Sequence, residues 1–244
     1  MKITKIIVIG GIHGDELTGI SLAKYFLRVK NSKISAILCH EKAIKKNKRF
    51  IETDLNRSFS KKIPISLEEK LAVRIKQQIN NDSIILDFHN TRASGTTSAI
   101  VTQEPNNLQI FLTNYFGFSR ITQMPSSNSF ISKFPQRTIS FEIANNQRSA
   151  FQVLELRRKI ERLINLDIPI VAKKPRKYDY VNKVKRETLM RLNFKFSQIK
   201  NFQPLKIIQK NQLGLSVEKT FMPIFYKHRA CEEISFTLVE EKNL

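Results

Sequence analysis

The sequence predicts a doubly wound α/β domain followed by a smaller β-rich segment. Short apolar runs of strand length alternate with segments of helical periodicity through most of the chain. A glycine turn directly follows the first run, Ile6 to Ile9, as expected where a buried parallel strand leads into a helix. This alternation is typical of domains whose helices cover both faces of a mostly parallel sheet.

One helix, one strand and a long loop follow the first strand. The helix begins after the glycine turn, and its predicted core face consists of Leu17, Ile20, Ala23 and Leu27. Residues 34–40 form a second apolar run, for which we predict a strand. Residues 42–57 are rich in basic side chains, and we predict a loop there.

The next helix is predicted from its start signal. Ser66 and Glu69 have the spacing of a capping box, in which each side chain bonds a backbone amide at the start of the helix. The apolar positions that follow at helical spacing are Leu67, Leu71, Ile75 and Ile79. Residues 83–88 then predict a buried strand that leads directly to His89.

The remaining elements of the first domain continue the alternation. Strands are predicted for residues 98–103 and 138–143, with a short helix at 108–116 and a loop of Ser, Asn and Pro at 125–135 between them. The last helix is predicted for residues 149–165. Its core positions are Val153, Leu156, Ile160 and Leu163.

Beyond Pro169 the character of the sequence changes. Prolines and basic residues are frequent, and the short apolar pieces LKIIQK and FMPIFY follow without long helices. We therefore predict two domains, an α/β domain at residues 1–168 and a β-rich subdomain at 169–244.

The charge of the chain is unusual. Lys and Arg total 42 against 21 acidic residues, which gives a formal net charge of +21. A nucleic-acid surface is one interpretation, but the basic residues are spread along the chain and match no nucleic-acid-binding motif. A basic cleft also attracts small anions, so we favour a small anionic substrate.

The cysteine content and the apolar segments of the sequence indicate the cellular compartment. Two cysteines, Cys39 and Cys231, provide no disulfide framework, and we find neither a signal peptide nor an apolar run of membrane-spanning length. We therefore predict a cytoplasmic protein without membrane contact. A homo-oligomer is left open.

Three residues near predicted strand ends are of the types that bind zinc. His13 and Glu16 follow the first strand, and His89 follows the strand at 83–88. The ends of parallel strands meet at one edge of a sheet, and two histidines with one carboxylate and an open fourth position form a catalytic zinc site. The alternatives are a polar turn in which Glu16 serves the helix dipole, and a hydrogen-bonded structural His89.

Other polar residues of the same region are candidates for catalysis and substrate binding. Glu142 could transfer protons, Arg49 could stabilise an oxyanion, and Asn56 with Arg57 could bind a carboxylate. Asp87 could orient the imidazole of a ligand.

Each of these residues also has a structural interpretation. Glu142 could pair with Arg148, and Arg49 could be solvated in a lysine-rich loop. Asp54 to Arg57 could form an Asx-type turn. The position of all these residues at strand ends or in the connecting loop favours the catalytic interpretation.

Four short motifs occur in order along the chain: HGDE at 13–16, DLNR at 54–57, DFHNT at 87–91 and FEI at 141–143. This combination resembles the aspartoacylase branch of the aspartoacylase and succinylglutamate desuccinylase family. The resemblance implies a zinc-carboxypeptidase-like α/β fold with a β-rich C-terminal domain, and hydrolysis of N-acetyl-L-aspartate to aspartate and acetate.

The same resemblance implies a role for each candidate residue. One zinc ion per chain would be bound by His13, Glu16 and His89. Glu142 would be the general base and acid, and it would also contact the substrate. Arg49 would polarise the scissile carbonyl. The substrate carboxylate would be held by Asn56 and Arg57.

The sequence departs from the family where the substrate is recognised. A second substrate-binding arginine of the family is missing, with Ser129 near its place and Arg137 close by, and the family's C-terminal tyrosine corresponds to Cys231. Arg137 or Tyr226 could substitute, but we favour a second carboxylate held only by the general positive field. A zinc-binding but inactive relative of the enzymes is an alternative.

Overall fold

The computed structural model describes residues 2–80, 82–144, 150–169, 174–192, 199–225, 234–242 and 244. Within these residues, nine strands form a single mixed sheet. In chain order they are β1 (Ile6–Gly10), β2 (Ile34–Leu38), β3 (Ile84–Thr91), β4 (Ser98–Val101), β5 (Arg120–Gln123), β6 (Thr138–Ala144), β7 (Arg176–Lys185), β8 (Phe221–Ile224) and β9 (Ile234–Lys242). Their order across the sheet is β2-β1-β3-β6-β4-β5-β7-β9-β8.

Helices and two short 3-10 turns connect these strands. The helices are α1 (Leu17–Val29), α2 (Glu41–Lys45), α3 (Leu67–Gln77), α4 (Asn107–Tyr115), α5 (Ala150–Leu163), α6 (Arg186–Arg191) and α7 (Ile207–Gln212). The 3-10 turns cover Leu55–Arg57 and Ile131–Lys133. The predicted capping box starts α3, since Ser66 and Glu69 exchange both of its hydrogen bonds.

The side chains of β1 show how the helices are distributed over the sheet. Ile6 and Val8 pack in one buried cluster with apolar residues of α1, α4 and α5. Ile7 and Ile9 pack in a second buried cluster with residues of α3. Helices therefore cover both faces of the sheet, and the predicted doubly wound α/β fold is confirmed.

Two glycines bring α1 close to the strands. A Cβ atom on Gly10 would lie 2.0 Å from the carbonyl oxygen of Gly19, and one on Gly19 would lie 2.3 Å from that of Phe88. Real Cβ atoms do not approach so closely, so only glycine permits this packing. The contact places the start of α1 directly beside β3.

The predicted core face of α1 was partly wrong. Ile20 and Ala23 are buried as predicted, but Leu17 and Leu27 are 36% and 47% exposed. The helix buries Gly19 and its neighbours instead, because the backbone contact with Phe88 turns that side towards the sheet.

Several other boundaries differ from the prediction. The piece LKIIQK was predicted as strand-like, but its last four residues form the start of helix α7. There Gln209 Oε1 accepts a capping bond from the amide of Lys206. Strand β5 was not predicted. Strand β3 continues to Thr91, so His89 lies within it. The basic loop contains the short helix α2.

The C-terminal strands extend the sheet of the first domain. β7 pairs in parallel with β5, while β9 pairs antiparallel with both β7 and β8. The domain boundary at residues 168 and 169 stays a prediction. In the described part of the chain, we find no helix with the length and apolar character needed to cross a bilayer.

Candidate active site

His13, Glu16 and His89 meet at the edge of the sheet where β1 and β3 end. The Nδ1 atom of His13 lies 2.7 Å from Glu16 Oε1, and the Nδ1 atom of His89 lies 2.7 Å from Glu16 Oε2. All three residues are buried, and their possible ligand atoms lie within 4.8 Å of one another. Two imidazoles and a carboxylate in this arrangement fit the donor set of a catalytic zinc site.

Glu16 does not cap its own helix. It occupies the N-cap position of α1, yet its side chain makes no capping bond. The oxygen of Asn90 instead accepts from the amide of Thr18 at 2.9 Å. The carboxylate of Glu16 is thus available to the two imidazoles, which argues against the alternative in which it serves the helix dipole.

The second nitrogen of each imidazole is bonded to an outer carboxylate. His13 Nε2 lies 3.1 Å from Asp54 Oδ1, and His89 Nε2 lies 2.9 Å from Asp87 Oδ2. Asp87 Oδ2 also accepts from the hydroxyl of Ser140 at 2.9 Å. Carboxylates in these positions fix the orientation of metal-binding imidazoles and increase their basicity.

The charges of this cluster shift the pKa values of its members. Burial by itself would lower the pKa of both histidines, but nearby carboxylates raise it above its ordinary value, most strongly for His89. Burial by itself would raise the pKa of Glu16, yet the two imidazoles lower it. The carboxylate therefore stays ionised and available to a cation.

Glu142 lies on β6, directly opposite His89 on β3. Burial raises the pKa of its carboxyl group above the ordinary value, although the nearby imidazoles and Arg49 act in the opposite direction. Its predicted alternative partner, Arg148, lies outside the described residues. A carboxyl group with a raised pKa beside the histidine cluster is a candidate for proton transfer.

Arg49 is not a solvated loop residue. Its Nη2 atom donates to Asp54 Oδ2 at 3.1 Å, and its Nη1 atom lies 3.5 Å from Glu16 Oε1. Its side chain is only 24% exposed. These carboxylates hold the guanidinium group beside the histidine cluster.

Asn56 and Arg57 lie in the 3-10 turn that follows Asp54. The carboxylate of Asp54 accepts from the amide of Asn56 at 2.9 Å, so the predicted Asx-type turn is present. The side-chain oxygen of Asn56 accepts from the amide of Phe130 at 3.0 Å, and Arg57 Nη1 donates to the carbonyl of Asn56 at 3.1 Å. The same turn therefore orients both side chains.

A cavity of about 650 Å³ joins these residues. It is lined by all seven predicted site residues, His13, Glu16, Arg49, Asn56, Arg57, His89 and Glu142. Apart from Ser129, which lies near the expected place of the missing arginine, its remaining wall comes largely from segments that sequence reasoning did not connect with the site. Among them are Ser126–Ser129, Met124, Tyr180, Lys183, Phe225 and Phe236.

The sequence profile described as "Succinylglutamate desuccinylase/Aspartoacylase catalytic domain" matches residues 2–166. The matched part contains the histidine cluster, Glu142 and the turn with Asn56 and Arg57.

The chain belongs to the succinylglutamate desuccinylase/aspartoacylase family.

Individual relatives are about one third identical to parts of this chain. A probable aspartoacylase of Acaryochloris marina is 32% identical over 162 residues, which cover 58% of this chain and 55% of that protein. An N-acyl-aromatic-L-amino acid amidohydrolase (carboxylate-forming) of Xenopus laevis is 32% identical over 131 residues, which cover 46% of this chain and 42% of that protein. The matches thus span about half the length of these curated relatives.

Solved structures support the fold assignment. The succinylglutamate desuccinylase from Chromobacterium violaceum superimposes with a TM-score of 0.76, covering 99% of this chain and 86% of that chain, at 14% sequence identity. The fold is the zinc-carboxypeptidase-like fold of this family, as the sequence predicted.

The residues at which this chain departs from the family lie in different places. Ser129 lines the cavity and is buried, and its hydroxyl has no hydrogen-bond partner among the described residues. Arg137 does not line the cavity; its Nη1 atom donates to the carbonyl of Asn80 at 2.7 Å. The idea that Arg137 substitutes for the missing arginine is therefore wrong. Cys231 and Tyr226 lie outside the described residues.

Proposed function

We propose that this protein is a zinc-dependent amidohydrolase of N-acyl amino acids, acting on linear amides, with N-acetyl-L-aspartate as its predicted substrate. The observation that carries the proposal is the convergence of His13, Glu16, His89 and Glu142 on one edge of the sheet, within a cavity large enough for a small substrate. Membership of the family and the names of the relatives support the same reaction class.

His13, Glu16 and His89 would hold the zinc ion, one per chain. Zinc in such a site supplies a Lewis acid and a water molecule whose pKa is lowered to about 7. The outer carboxylates Asp54 and Asp87 would keep the ring nitrogens of the two histidines directed at the ion.

Glu142 would carry the proton. Its carboxylate would take a proton from the attacking water and deliver it to the amide nitrogen as the bond between carbon and nitrogen breaks. The raised pKa of this partly buried carboxyl supports the role, because proton transfer is most efficient when the pKa lies near the working pH.

The guanidinium groups would act on the substrate at two positions. Arg49, held by Asp54, would donate to the carbonyl oxygen as negative charge develops there. Arg57 and the amide group of Asn56 would bind the carboxylate of the amino acid, with Phe130 fixing the orientation of Asn56.

An apolar part of the cavity wall favours a second candidate substrate. This wall contains Ile100, Met124, Ile131, Phe225 and Phe236. An N-acyl amino acid with an aromatic side chain would be stabilised there by burial, and the Xenopus laevis relative carries the name of such an activity. Lys183 on the same wall favours an anionic side chain.

The decisive experiment combines metal analysis with a hydrolysis assay. Zinc content of the purified protein would be measured by plasma emission, and kcat/KM would be measured for N-acetyl-L-aspartate, N-acetyl-L-phenylalanine and N-acetyl-L-alanine. We expect about one zinc per chain and amide hydrolysis, with acetylaspartate the best substrate. A zinc-loaded protein that hydrolyses none of the three would instead be an inactive relative of the enzymes.

A further inference from the structure

Glu68, in the first turn of α3, is a fully buried carboxylate that does not line the cavity. Its Oε1 atom accepts from the amides of Ile51 at 2.8 Å and of Glu52 at 3.0 Å, and its Oε2 atom accepts from the amide of Thr53 at 3.2 Å. Hydrogen bonds to an ionised carboxylate are about twice as strong as those between neutral groups. Glu68 thus fixes three consecutive amides of the loop formed by residues 49–57.

A buried histidine completes the environment of this carboxylate. His40 follows β2, and its Nε2 atom lies 2.9 Å from Glu68 Oε1. Both side chains are 0% exposed. Burial by itself would raise the pKa of Glu68, but the bonds from His40 and from the three amides lower it to about 2. Glu68 is therefore ionised, and His40 connects it to the central sheet.

The loop in turn binds the start of the helix. Glu52 Oε2 accepts from the amide of Leu67 at 2.8 Å, and the hydroxyl groups of Thr53 and Ser66 lie 3.2 Å apart. The amide of Leu67 is one of those left without a helical partner in a first turn. Loop and helix therefore satisfy one another's backbone groups, and a shift of one would break bonds of the other.

The fixed segment lies between the residues that face the cavity. Arg49 precedes the three amides by two positions, and its carbonyl accepts from the amide of Gly14 in the first zinc-site motif at 3.2 Å. Asp54 follows the amides directly, and Asn56 and Arg57 come next. The position of the segment therefore sets the position of all four side chains.

We propose that Glu68 is a positioning residue for substrate binding, which holds the 49–57 loop so that Arg49, Asn56 and Arg57 face the substrate. The inference rests on the proposed function for its kinetic consequence. Misplacement of binding groups by about 1 Å can reduce catalysis by about a hundred-fold. A looser loop should weaken substrate binding more than metal binding. Glu68 contacts none of His13, Glu16 and His89, and the loop reaches these residues only through Asp54 and Arg49.

The test compares Glu68→Gln with Glu69→Gln. The first variant keeps the shape of the side chain but turns an NH₂ group towards an amide donor of the loop. Glu69 is the matched control, because its carboxylate also accepts from two backbone amides at the start of α3, those of Ile65 and Ser66. Neither of these two residues lines the cavity. Zinc content, KM, kcat and amide hydrogen exchange of residues 49–57 would be measured for both.

We expect Glu68→Gln to retain zinc and to have a higher KM. Its kcat/KM should fall by roughly ten- to a hundred-fold, and amide hydrogen exchange in the 49–57 loop should be faster. Glu69→Gln should keep the kinetics and loop exchange of the wild type even if its melting temperature falls. If Glu68→Gln does not fold, Glu68→Asp takes its place, since it keeps the charge facing His40 and withdraws the oxygens from the loop.

Equal kcat/KM in the two variants, or loss of zinc from the Glu68 variant, would overturn the inference. A wild-type protein that hydrolyses no N-acyl amino acid would refute the proposed function instead. In that case hydrogen exchange decides, and equal exchange of residues 49–57 in the two variants would refute the positioning role.

Discussion

The two sides of the cavity are built in different ways. We call the side with His13, Glu16, His89 and Glu142 the near side. His13 and Glu16 follow β1, His89 lies within the neighbouring parallel strand β3, and Glu142 lies opposite His89 in the next strand, β6. The far side is formed by the loop at 125–131 and by side chains of β7 and β9, which are distant in sequence and in strand order.

The two sides also differ in the contacts that hold their side chains in place. Each residue of the near side is fixed by a strand pairing or by a charged or imidazole side chain within hydrogen-bond distance. His13 is held by Glu16 and Asp54, and Glu16 is held by the two imidazoles. On the far side, the hydroxyl of the buried Ser129 has no such partner among the described residues. Sites built on strands and helices hold their side chains more precisely than sites built on loops. Substitutions on the two sides should therefore affect different quantities.

The largest effect is expected on the near side, at His13. His13→Ala removes a predicted zinc ligand, and we expect most of the metal and nearly all activity to be lost. Removal of a carboxylate that merely supports a ligand already costs about 10–100-fold. Plasma emission analysis of variant and wild type measures this directly. His40→Gln is a control for zinc content only, because His40 contacts Glu68, which is proposed to position the substrate-binding loop. Equal zinc in His13→Ala and wild type would refute the ligand assignment.

The second effect separates chemistry from metal binding. Glu142→Gln keeps the size of the side chain but cannot take up a proton, so we expect normal zinc and a fall in kcat of at least about 100-fold. Glu104→Gln changes an exposed carboxylate outside the cavity and should retain turnover. If kcat of Glu142→Gln stays within a few-fold of the wild type, another group transfers the proton.

The smallest effect is expected on the far side, at Lys183. Lys183→Ala should raise KM for acetylaspartate by about three- to ten-fold, because it removes a partly solvated cation that could pair with the second carboxylate. KM for acetylphenylalanine should stay nearly constant. Lys185→Ala, two residues further along β7 and outside the cavity, is the matched control. Equal changes of KM for acetylaspartate in the two lysine variants would indicate that the general positive field, and not a contact with Lys183, holds the second carboxylate.

The near side could be predicted from sequence because its residues belong to short motifs that directly follow or end apolar strands. Parallel pairing of β1, β3 and β6 then brings the motifs together without further information. The ends of elements were less predictable, as shown by the extension of β3 through His89.

The far side could not be predicted because its positions depend on tertiary pairing. Lys183 reaches the cavity from a strand whose register with β9 shifts between Tyr180 and Asn182, and no local pattern indicates such a shift. Helix α7 was missed because a short apolar run alone does not distinguish a strand from a helix. The face of α1 was misjudged because the approach of Gly19 to Phe88 is a contact between distant residues.

Because the sheet continues from β5 into β7, part of the far side of the cavity comes from strands that lie outside the motifs of the near side. Three strands lie between β3 and β7, and four lie between β3 and β9, yet β7 and β9 bring Lys183 and Phe236 to the same cavity. Substitutions more than about 7–10 Å apart that share no partner usually have additive effects. We therefore expect substitutions in β7 and β9 to change the lining of the cavity in small steps, without compensating changes among His13, Glu16 and His89.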